Sequence, residues 1–252
     1  MTSLFRLFAA PLVAAAIFAS PIASPMAFAQ SFNPEQRGEI EAIIRDYFIK
    51  HPEMIEELQQ LAQAEKIKRA INEHKEVLLN SPRQVTLGNP QGDVTMVEFF
   101  DYNCGYCKRA LDDMTTLLKN DPKLRIVLKE MPVLGQGSME AAQVAAALTM
   151  QDKSGKRYLD FHQKLLGNRG QADKAKALAV AKEVGADMPR LEKDMASAEI
   201  KLAIEESLRL AEAFGIQGTP SYVVGNEVLV GAVGIKELQG KINAARCGKA
   251  TC

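Results

Sequence analysis

The residues Cys104-Gly105-Tyr106-Cys107 carry the most specific chemical signal in this sequence, because two thiols separated by two residues can close into a disulfide. They follow a near-continuous apolar run over residues 94–100, which predicts a central strand covered on both faces. Leu111, Met114 and Leu118 then recur at helical spacing. The pair would therefore lie at the first turn of a helix, where free N–H groups and the dipole favour a thiolate. Since the thiolate is the species that attacks a disulfide, we predict a reversible redox pair.

The amino terminus has the pattern of an export signal. Arg6 supplies a positive charge, residues 7–23 are apolar and rich in alanine, and Ala27-Phe28-Ala29 matches an A-x-A cleavage site, so we expect cleavage after Ala29. An uncleaved membrane anchor is the alternative, which the short stretch and its interruption by Pro11 and Pro21 disfavour. Export places the chain in an oxidising compartment, where a Cys-x-x-Cys pair is expected to act on disulfides.

The charge balance and the cysteine count argue against several classes of protein. Lys plus Arg and Asp plus Glu each number 31, and removal of the leader with its single Arg leaves a net charge of about −1. This balance gives no argument for nucleic acid or an anionic membrane as a partner. Four cysteines in a chain of 252 residues are too few for a disulfide framework, so the hydrophobic core must supply the stability. By sequence they form two pairs, Cys104/Cys107 and Cys247/Cys252, although other pairings are formally open.

Residues 30–80 precede every predicted strand and are typical of a helical arm. A short amphipathic helix reaches Phe48, His51-Pro52 interrupts it, and apolar residues then continue at spacings of mostly three and four up to Leu78. The residues between them are largely Glu, Gln, Lys and Arg, so the arm cannot bury its apolar stripe on itself. Either the arm packs on the main domain, or it pairs with copies of itself. We favour self-association, because the stripe is sustained and no capping Gly divides it.

The rest of the chain alternates strands with helices and is interrupted by a purely helical segment. Residues 138–214 show only helical patterns, and the strand signals return after them as a hairpin with Gly225-Asn226 at its turn. This order predicts an α/β fold in which a sheet is split by a helical insertion. The predicted strands cover residues 85–87, 94–100, 124–128, 221–224 and 228–230.

Two motifs and the helical insertion resemble one known family. Residues 99–107, which read Phe-Phe-Asp-Tyr-Asn-Cys-Gly-Tyr-Cys, and Gly218-Thr219-Pro220-Ser221 are similar to the paired motifs of the DsbA-like thiol:disulfide oxidoreductases of the bacterial periplasm. The resemblance covers about residues 85–245. It implies a thioredoxin fold interrupted by a helical domain, with a cis-proline facing the cysteine pair. The amino-terminal arm resembles that of the ScsC group (suppressor of copper sensitivity protein C), whose members use such an arm to oligomerise.

The resemblance also implies domain boundaries. The thioredoxin domain is expected in two parts on either side of the insertion, preceded by the signal peptide and the arm and followed by a short cysteine-containing tail. The expected ranges are 1–29 for the signal peptide, 30–82 for the arm, 83–137 and 216–246 for the thioredoxin domain, 138–215 for the inserted domain and 247–252 for the tail.

Carried over by position, the resemblance assigns roles to individual residues. Cys104 resembles the exposed nucleophile and Cys107 the buried resolving cysteine. Pro220 matches the cis-proline, which would leave the backbone groups of Thr219 free to pair with an extended substrate. Glu98 matches the buried acid beneath the pair, which in the family helps proton transfer to and from the resolving thiol. Without the family pattern, a strand residue that faces solvent is an equal interpretation of Glu98.

The residues that tune the chemistry depart from the oxidase DsbA. That protein has Pro-His between its cysteines and an apolar residue before its cis-proline, whereas this chain has Gly105-Tyr106 and Thr219. Tyr106 has no charge to offer near neutral pH and cannot stabilise the thiolate as an imidazolium would, so the pair should be less oxidising. Gly-Tyr and Thr-Pro are the combination seen in the disulfide isomerase DsbC. An isomerase benefits from several active sites facing one cleft, which an oligomerising arm would create.

For Cys247 and Cys252 the expectation is a small structural disulfide. The alternatives are a second redox pair, a zinc site shared with Cys104 and Cys107, and a copper(I) ligand pair. The zinc site is disfavoured, because the first pair lies in the strand–turn–helix context of a redox motif. The histidines are isolated in the sequence, and we expect no metal site.

Together these features predict a periplasmic thiol:disulfide interchange protein, acting as isomerase or reductase through a mixed disulfide at Cys104. No cofactor is expected beyond the cysteine pair itself. The resemblance implies three kinds of partner: misfolded or disulfide-bonded exported proteins, a membrane reductase of the DsbD or ScsB kind, and further copies of the chain (a trimer or dimer through residues 30–80). The alternatives are a DsbA-type dithiol oxidase, a copper(I)-binding tolerance protein and a scaffold that acts through its arm.

Overall fold

The computed structural model describes residues 32–152 and 154–252, and the predicted signal peptide lies outside these residues. The described residues divide after Met54 into two compact units. No helix within the described ranges is long and apolar enough to cross a membrane.

The described part of the first unit consists mainly of α1 (Pro34–Lys50). Asn33 begins this helix with a capping box: its side chain accepts from the Gln36 N–H at 2.8 Å, and the Gln36 side chain accepts from the Asn33 N–H at 3.0 Å. The helix ends at His51, as the His51-Pro52 break predicts. No residue of α1 is buried in the described structure, so its apolar side chains face solvent. The large exposed ones are Ile43, Ile44, Tyr47 and Ile49.

Two further helices, α2 (Glu53–Glu73) and α3 (Lys75–Asn80), complete the arm. The sequence predicts no interruption here, but the structure breaks the helix at His74, and α3 then buries Leu78 in the same cluster as Ile71 of α2. The last part of the arm therefore packs on the sheet, whereas the beginning of α2 does not, and self-association of the arm stays a prediction. The exposed apolar residues of α2 are Ile55, Leu58 and Leu61.

One sheet forms the centre of the second unit. Its strands are β1 (Val85–Gly88), β2 (Val94–Phe100), β3 (Leu124–Glu130), β4 (Ser221–Val224) and β5 (Glu227–Val230). They lie in the order β1-β3-β2-β4-β5, with β2 parallel to β3 and antiparallel to β4. Both faces of β2 are buried, as its apolar run predicts. β3 extends beyond the predicted end at Leu128 and adds two buried charged residues, Lys129 and Glu130.

Helices cover the sheet and form the predicted insertion between β3 and β4. They are α4 (Gly105–Asn120), α5 (Gln136–Gln151), α6 (Lys156–Gly167), α7 (Lys174–Glu183), α8 (Met188–Met195), α9 (Ala198–Ala213) and α10 (Ile235–Cys247), of which α5 to α9 are the insertion. The sequence analysis does not predict α8. Its signals are present nevertheless, since the Asp187 side chain accepts from the Arg190 N–H and Pro189 lies in the first turn.

Alternate residues of β2 belong to two packing layers, because successive side chains of a strand point to opposite faces. Met96 and Phe100 pack in the larger hydrophobic cluster, which includes Cys107 of α4. Val97 and Phe99 pack in the second cluster, which includes the buried residues of the arm. Glu98 shares the face of Met96 and Phe100. The strand register thus directs Glu98 to the side of the cysteine-bearing helix.

The carbonyl end of α3 is held by basic side chains of β3. Lys129 Nζ donates to Val77 O at 3.2 Å and to Glu206 Oε1 of α9 at 3.1 Å. Arg125 donates to Leu79 O. Carbonyl groups at a helix C-terminus need such donors, and loss of Glu206 would leave the buried Lys129 without its carboxylate partner. The end of the arm is therefore part of the folded second unit.

We expect Leu78→Ala to lower the free energy of unfolding by about 2–5 kcal/mol, because a buried leucine leaves a cavity when truncated. The matched control is Val77→Ala on the same helix, where an exposed side chain is removed at a cost below about 0.5 kcal/mol. Chemical denaturation followed by circular dichroism measures both changes. Equal effects of the two substitutions would contradict the packing of α3 on the sheet.

Candidate active site

Cys104 and Cys107 are free thiols at the start of α4. Cys104 is the N-cap residue and Cys107 lies in the first turn, as the sequence predicts. Cys107 is fully buried, and Cys104 is only 7% exposed. The exposed nucleophile implied by the resemblance is therefore corrected in one respect, because the backbone of Thr219 lies against the Cys104 sulfur. Cys104 is open to solvent through a cavity of about 420 Å³ that it helps to line.

Asp101 shapes the turn between β2 and the cysteine pair. Its Oδ1 accepts from the Asn103 N–H at 2.8 Å, and its Oδ2 accepts from the N–H groups of Val133 and Leu134 at 2.9 and 3.0 Å. Its carbonyl accepts from the Cys104 N–H at 3.0 Å. The sequence analysis gave Asp101 no role of its own. The sequence does carry a signal for this role. An Asp that directly follows a strand often accepts a hydrogen bond from the backbone N–H two residues later, here that of Asn103.

Asn103 joins the cysteine loop to the helical insertion. Its Nδ2 donates to Ser138 Oγ at 3.0 Å and to Ala172 O at 2.9 Å, and its Oδ1 accepts from the Ala172 N–H at 2.7 Å. Lys108 makes a second connection, since its Nζ donates to the carbonyls of Gly167 and Asn168 at the end of α6. Neither residue was found by sequence reasoning, because their partners lie far along the chain. Together they fix the segment that borders the cavity beside Cys104.

The peptide bond between Thr219 and Pro220 is cis, and both residues lie directly before β4. The pairing of β4 with β2 brings them beside the cysteine loop. Cys104 Sγ donates to Thr219 O at 3.1 Å across a sequence separation of 115 residues. Ser221 Oγ donates to Gly218 O at 2.8 Å and ties the segment to the start of the strand. The two motifs singled out in the sequence therefore meet in the structure.

Glu98 is 2% exposed, which excludes the solvent-facing interpretation. Burial and, to a smaller extent, the charge of Asp113 raise the pKa of its carboxyl group to about 8. Its Oε2 has no hydrogen-bond partner among the described residues, so little offsets the lost hydration of a charged form. At neutral pH the carboxyl group is therefore mostly protonated, and it holds a proton close to the cysteine pair.

The two thiols have different surroundings. Burial raises the pKa of the Cys107 thiol, the charges of Cys104 and Glu98 raise it further, and a hydrogen bond with the backbone of Asp101 opposes these effects. Cys107 therefore remains a thiol at neutral pH until a base removes its proton. Cys104 lies at the N-terminus of α4, where the unpaired N–H groups and the helix dipole stabilise a thiolate.

The dipeptide between the cysteines presents an aromatic ring to solvent. Gly105 is the first residue of α4, and a Cβ atom there would meet nothing within 4 Å, so the lack of a side chain is not a steric requirement. Tyr106 is 58% exposed. The guanidinium of Arg109 lies 4.2 Å from the centre of its ring, which is a cation–π contact. The positive charge of Arg109 therefore lies against the Tyr106 ring, although Tyr106 itself has no charge.

Cys247 and Cys252 form a disulfide, with their Cα atoms 6.3 Å apart. Cys247 is the last residue of α10, and the neighbouring Arg246 makes ion pairs with Asp93 and Asp121, which precede β2 and β3. This disulfide therefore lies at the end of the sheet opposite to the free cysteines. The alternative of a zinc site shared by all four cysteines is wrong, because one ion cannot reach both ends of the sheet.

A sheet with a Cys-x-x-Cys pair at the N-terminus of a helix and a cis-proline beside it defines the thioredoxin-fold class of proteins. The insertion of helices between the two parts of this sheet narrows the class further. The chain belongs to the DsbA-like family: the model of the DSBA-like thioredoxin domain matches residues 95–243.

Several known proteins are similar to this chain. A thioredoxin-like oxidoreductase of Silicibacter pomeroyi is 43% identical, covering 68% of this chain and 96% of its own, with a TM-score of 0.64. A linker-deletion mutant of Proteus mirabilis ScsC is 26% identical, covering 86% of this chain and 98% of its own, with a TM-score of 0.72. The thiol:disulfide interchange protein DsbA of Bordetella pertussis is 25% identical over 146 residues, which are 56% of this chain and 68% of that protein.

The chain also matches much longer proteins. The Na⁺/H⁺ antiporter NhaA 1 of Salinispora arenicola is 26% identical over 172 residues, which are 68% of this chain. The chain spans only 26% of the antiporter's length. The likeness therefore concerns one part of that protein.

We expect the contribution of Glu98 to stability to fall as the pH rises from 5 to 8. The Glu98 carboxyl group ionises near 4.5 in the unfolded chain and near 8 in the folded chain, so between these values the folded state binds more protons and loses stability with rising pH. Glu98→Gln removes this loss, which amounts to about 3 kcal/mol over this range. Denaturation curves of the reduced protein at pH 5, 6.5 and 8 measure it. The exposed control Glu57→Gln should keep the wild-type slope, and the same slope in Glu98→Gln would refute the raised pKa.

Asn103→Ala should lower the free energy of unfolding by about 1–3 kcal/mol, because it leaves the N–H group of Ala172 without its partner. It should also change the rate at which Cys104 is alkylated, since the loop next to this thiol loses its connection to the insertion. Urea denaturation and iodoacetamide kinetics measure the two effects. Arg169→Ala, at an exposed position on the same segment, is the control and should alter neither. If Asn103→Ala matched the wild type in both measurements, the hydrogen bonds of Asn103 with Ala172 would influence neither the stability of the chain nor the reactivity of Cys104.

Proposed function

We propose that the chain is a thiol:disulfide interchange protein of the bacterial periplasm, which isomerises or reduces disulfides through Cys104. The observation that carries the proposal is the free cysteine pair at the N-terminus of α4, with Thr219 O 3.1 Å from Cys104 Sγ. Backbone groups of a strand end so close to the nucleophile can pair with an extended substrate and align its disulfide. The predicted export signal and the family support the periplasmic location.

The proposed reaction begins when the Cys104 thiolate attacks one sulfur of a substrate disulfide. The other substrate sulfur leaves as a thiolate, and a mixed disulfide with Cys104 remains. In isomerisation, a substrate thiolate attacks the substrate sulfur of this bond and releases Cys104, without net electron transfer. In reduction, Cys107 attacks Cys104 Sγ, the pair closes into a disulfide, and the substrate leaves with two electrons more.

Glu98 is the proposed proton carrier for Cys107. Cys107 must lose a proton before it attacks and must regain one when the pair is reduced, yet it is fully buried. A carboxyl group with a pKa of about 8 can both accept and donate a proton near neutral pH. The proposed reaction needs no cofactor, because the sulfur atoms themselves carry the electrons.

The direction of the reaction is inferred from the residues around the pair. Gly105-Tyr106 and Thr219 favour a less oxidising pair than that of the oxidase DsbA, which suits an isomerase or reductase. Such a protein must be kept reduced, so a membrane reductase of the DsbD or ScsB kind is the proposed electron donor. Misfolded or disulfide-bonded exported proteins are the proposed substrates.

Self-association through the arm is proposed for the part of the arm that the sheet does not cover. The exposed apolar residues of α1 and the beginning of α2 have no core of their own, and apolar surface of this kind is typical of an interface between chains. A dimer or trimer would bring several copies of Cys104 together and hold a substrate at high effective concentration.

A DsbA-type oxidase is the second candidate, favoured by membership of the DsbA-like family. The resting redox state separates the two candidates. Thiol trapping in cells would find the Cys104–Cys107 pair reduced in an isomerase and oxidised in an oxidase.

We expect the full chain to refold a scrambled multi-disulfide substrate, and a variant with a charged arm to lose at least about tenfold of this activity. The variant is Ile55→Glu with Leu58→Glu, since deletion up to Asn80 would also remove Ile71 and Leu78 from the core. Recovery of the active substrate measures isomerisation, and sedimentation measures association.

The matched control for this experiment is Gln59→Glu with Gln60→Glu, which adds the same charge at exposed positions of the same helix and should behave as the wild type. Cys104→Ser should abolish activity. Rapid oxidation of a reduced substrate without any unscrambling would instead identify an oxidase. Full activity of the charged-arm variant would refute the role of the arm.

A further inference from the structure

The loop of residues 247–252, which the disulfide between Cys247 and Cys252 closes, is exposed along its whole length. It folds back on α10, where Asn243 Nδ2 donates to Ala250 O at 2.9 Å. No residue of the loop is buried. The disulfide therefore lies in a solvent-exposed loop, and exposed disulfides are the ones that are open to exchange.

The helix that leads into this loop is held in place without the disulfide. Leu238 and Ile242 of α10 are buried in the core. Arg246 donates to Asp93 at 2.7 Å and to Asp121 at 2.9 Å. A bond between residues five apart in sequence restricts mainly the short loop that it closes. The stability of the fold therefore does not explain why two cysteines occupy these positions.

The loop is far from the cysteine pair of its own chain. Arg246 beside the loop binds Asp93, which directly precedes β2, and Asp121, which lies just before β3. Cys104 follows the other end of β2. The seven residues of β2 span about 20 Å. The two pairs of one chain therefore cannot react with each other, but the loop of one copy can approach the cavity beside Cys104 of another.

The two cysteine pairs lie at opposite poles of their helices. Cys104 is the N-cap of α4, where the dipole stabilises a thiolate, and Cys247 is the last residue of α10, where the dipole destabilises one. Arg246 is committed to two carboxylates, and Lys249 is exposed, so water and salt screen its attraction for a thiolate. Exchange between the pairs therefore favours free thiols at α4 and a disulfide in the loop.

We propose that Cys247 and Cys252 form a second redox site, whose dithiol form reduces the Cys104–Cys107 disulfide of another copy of this chain. The inference rests on the proposed function and deepens it: the proposed membrane reductase would reduce the loop disulfide, and the loop dithiol would pass these two electrons to the same site. An isomerase works only while its pair is reduced. Copies brought together by their arms would present their loops to one another at high effective concentration.

The exchange needs no reactant beyond the two pairs. A loop thiolate attacks Cys104 Sγ, the bond to Cys107 breaks, and Cys107 leaves as a thiolate that takes up a proton. The second loop thiolate then attacks the loop sulfur of the mixed disulfide, so that the loop closes and Cys104 leaves as a thiolate. One S–S bond is broken and one is formed. The loop loses two electrons and the active-site pair gains them. Each loop thiol gives up one proton when its thiolate forms; Cys107 takes up one proton, and the Cys104 thiolate takes up the other when it is protonated.

The test mixes two variants of the full chain. The donor, Cys104→Ser with Cys107→Ser, is supplied with a reduced loop, and the acceptor, Cys247→Ser with Cys252→Ser, is supplied with an oxidised active-site pair. After acid quenching, alkylation with isotopically distinct maleimides and mass spectrometry report the state of each pair. We expect loop disulfide and active-site dithiol to form in equal amounts, with more acceptor reduced than oxidised once equal amounts of the two variants reach equilibrium. A donor with all four cysteines replaced by Ser should leave the acceptor oxidised.

The acceptor is assayed in parallel with a reduced dithiol peptide. If it oxidises the peptide but leaves the loop of the donor reduced, the second redox site is refuted while the proposed function stands. If it oxidises neither, the proposed function fails and this inference falls with it. The wild-type chain gives an independent measurement: on titration of the fully reduced protein with limiting oxidant, the loop disulfide should form before the Cys104–Cys107 disulfide. The reverse order would overturn the proposal.

Discussion

The antiparallel pairing of β2 with β4 is the interaction on which the candidate site depends. It places Ser221 opposite Phe99, so the residues before β4 meet the loop that follows β2. Only this register brings Thr219 O within 3.1 Å of Cys104 Sγ. A slip by one residue would turn every side chain of β4 to the other face of the sheet. The whole helical insertion must therefore leave β3 and return to β4 without disturbing this pairing.

The two faces of β2 serve different purposes. One face carries Met96, Glu98 and Phe100, and its burial keeps a protonated carboxyl group close to the cysteines. The other face carries Val97 and Phe99, which pack with the buried residues of the arm. Because a strand alternates its side chains, one short segment positions the acid of the site and anchors the end of the arm. A change in the arm that disturbs this packing would act on the same strand that precedes Cys104.

Two sets of hydrogen bonds attach the insertion to the site, one close to the surface and one in the buried core. Near the surface, Asn103 clamps the segment around Ala172. Beneath it, the hydroxyl groups of Tyr102 and Tyr158 are 3.1 Å apart, and Tyr158 donates to Glu130 Oε1 at 2.6 Å. His162 belongs to the same buried cluster, where burial lowers its pKa to about 3, so it stays neutral and structural. Such a network, with its partners satisfied, gives the loop before Cys104 one well-defined position.

Features that depend on residues close together in the chain are predictable from the sequence: the apolar strand β2, the start of a helix at Cys104, and the hairpin with its Gly225-Asn226 turn. The helical insertion is predictable as well, except for α8. The family resemblance added Pro220 and Glu98, which local patterns left open. The hydrogen bonds of Asn103 with Ala172, the division of the arm between sheet and solvent, and the separation of the two cysteine pairs follow from tertiary packing instead. An apolar stripe has the same period whether it packs on a core or on another chain. The sequence around Asn103 likewise contains no sign that its partner is Ala172, far along the chain. Tertiary packing determines both partners, because it brings together residues that are far apart in the chain.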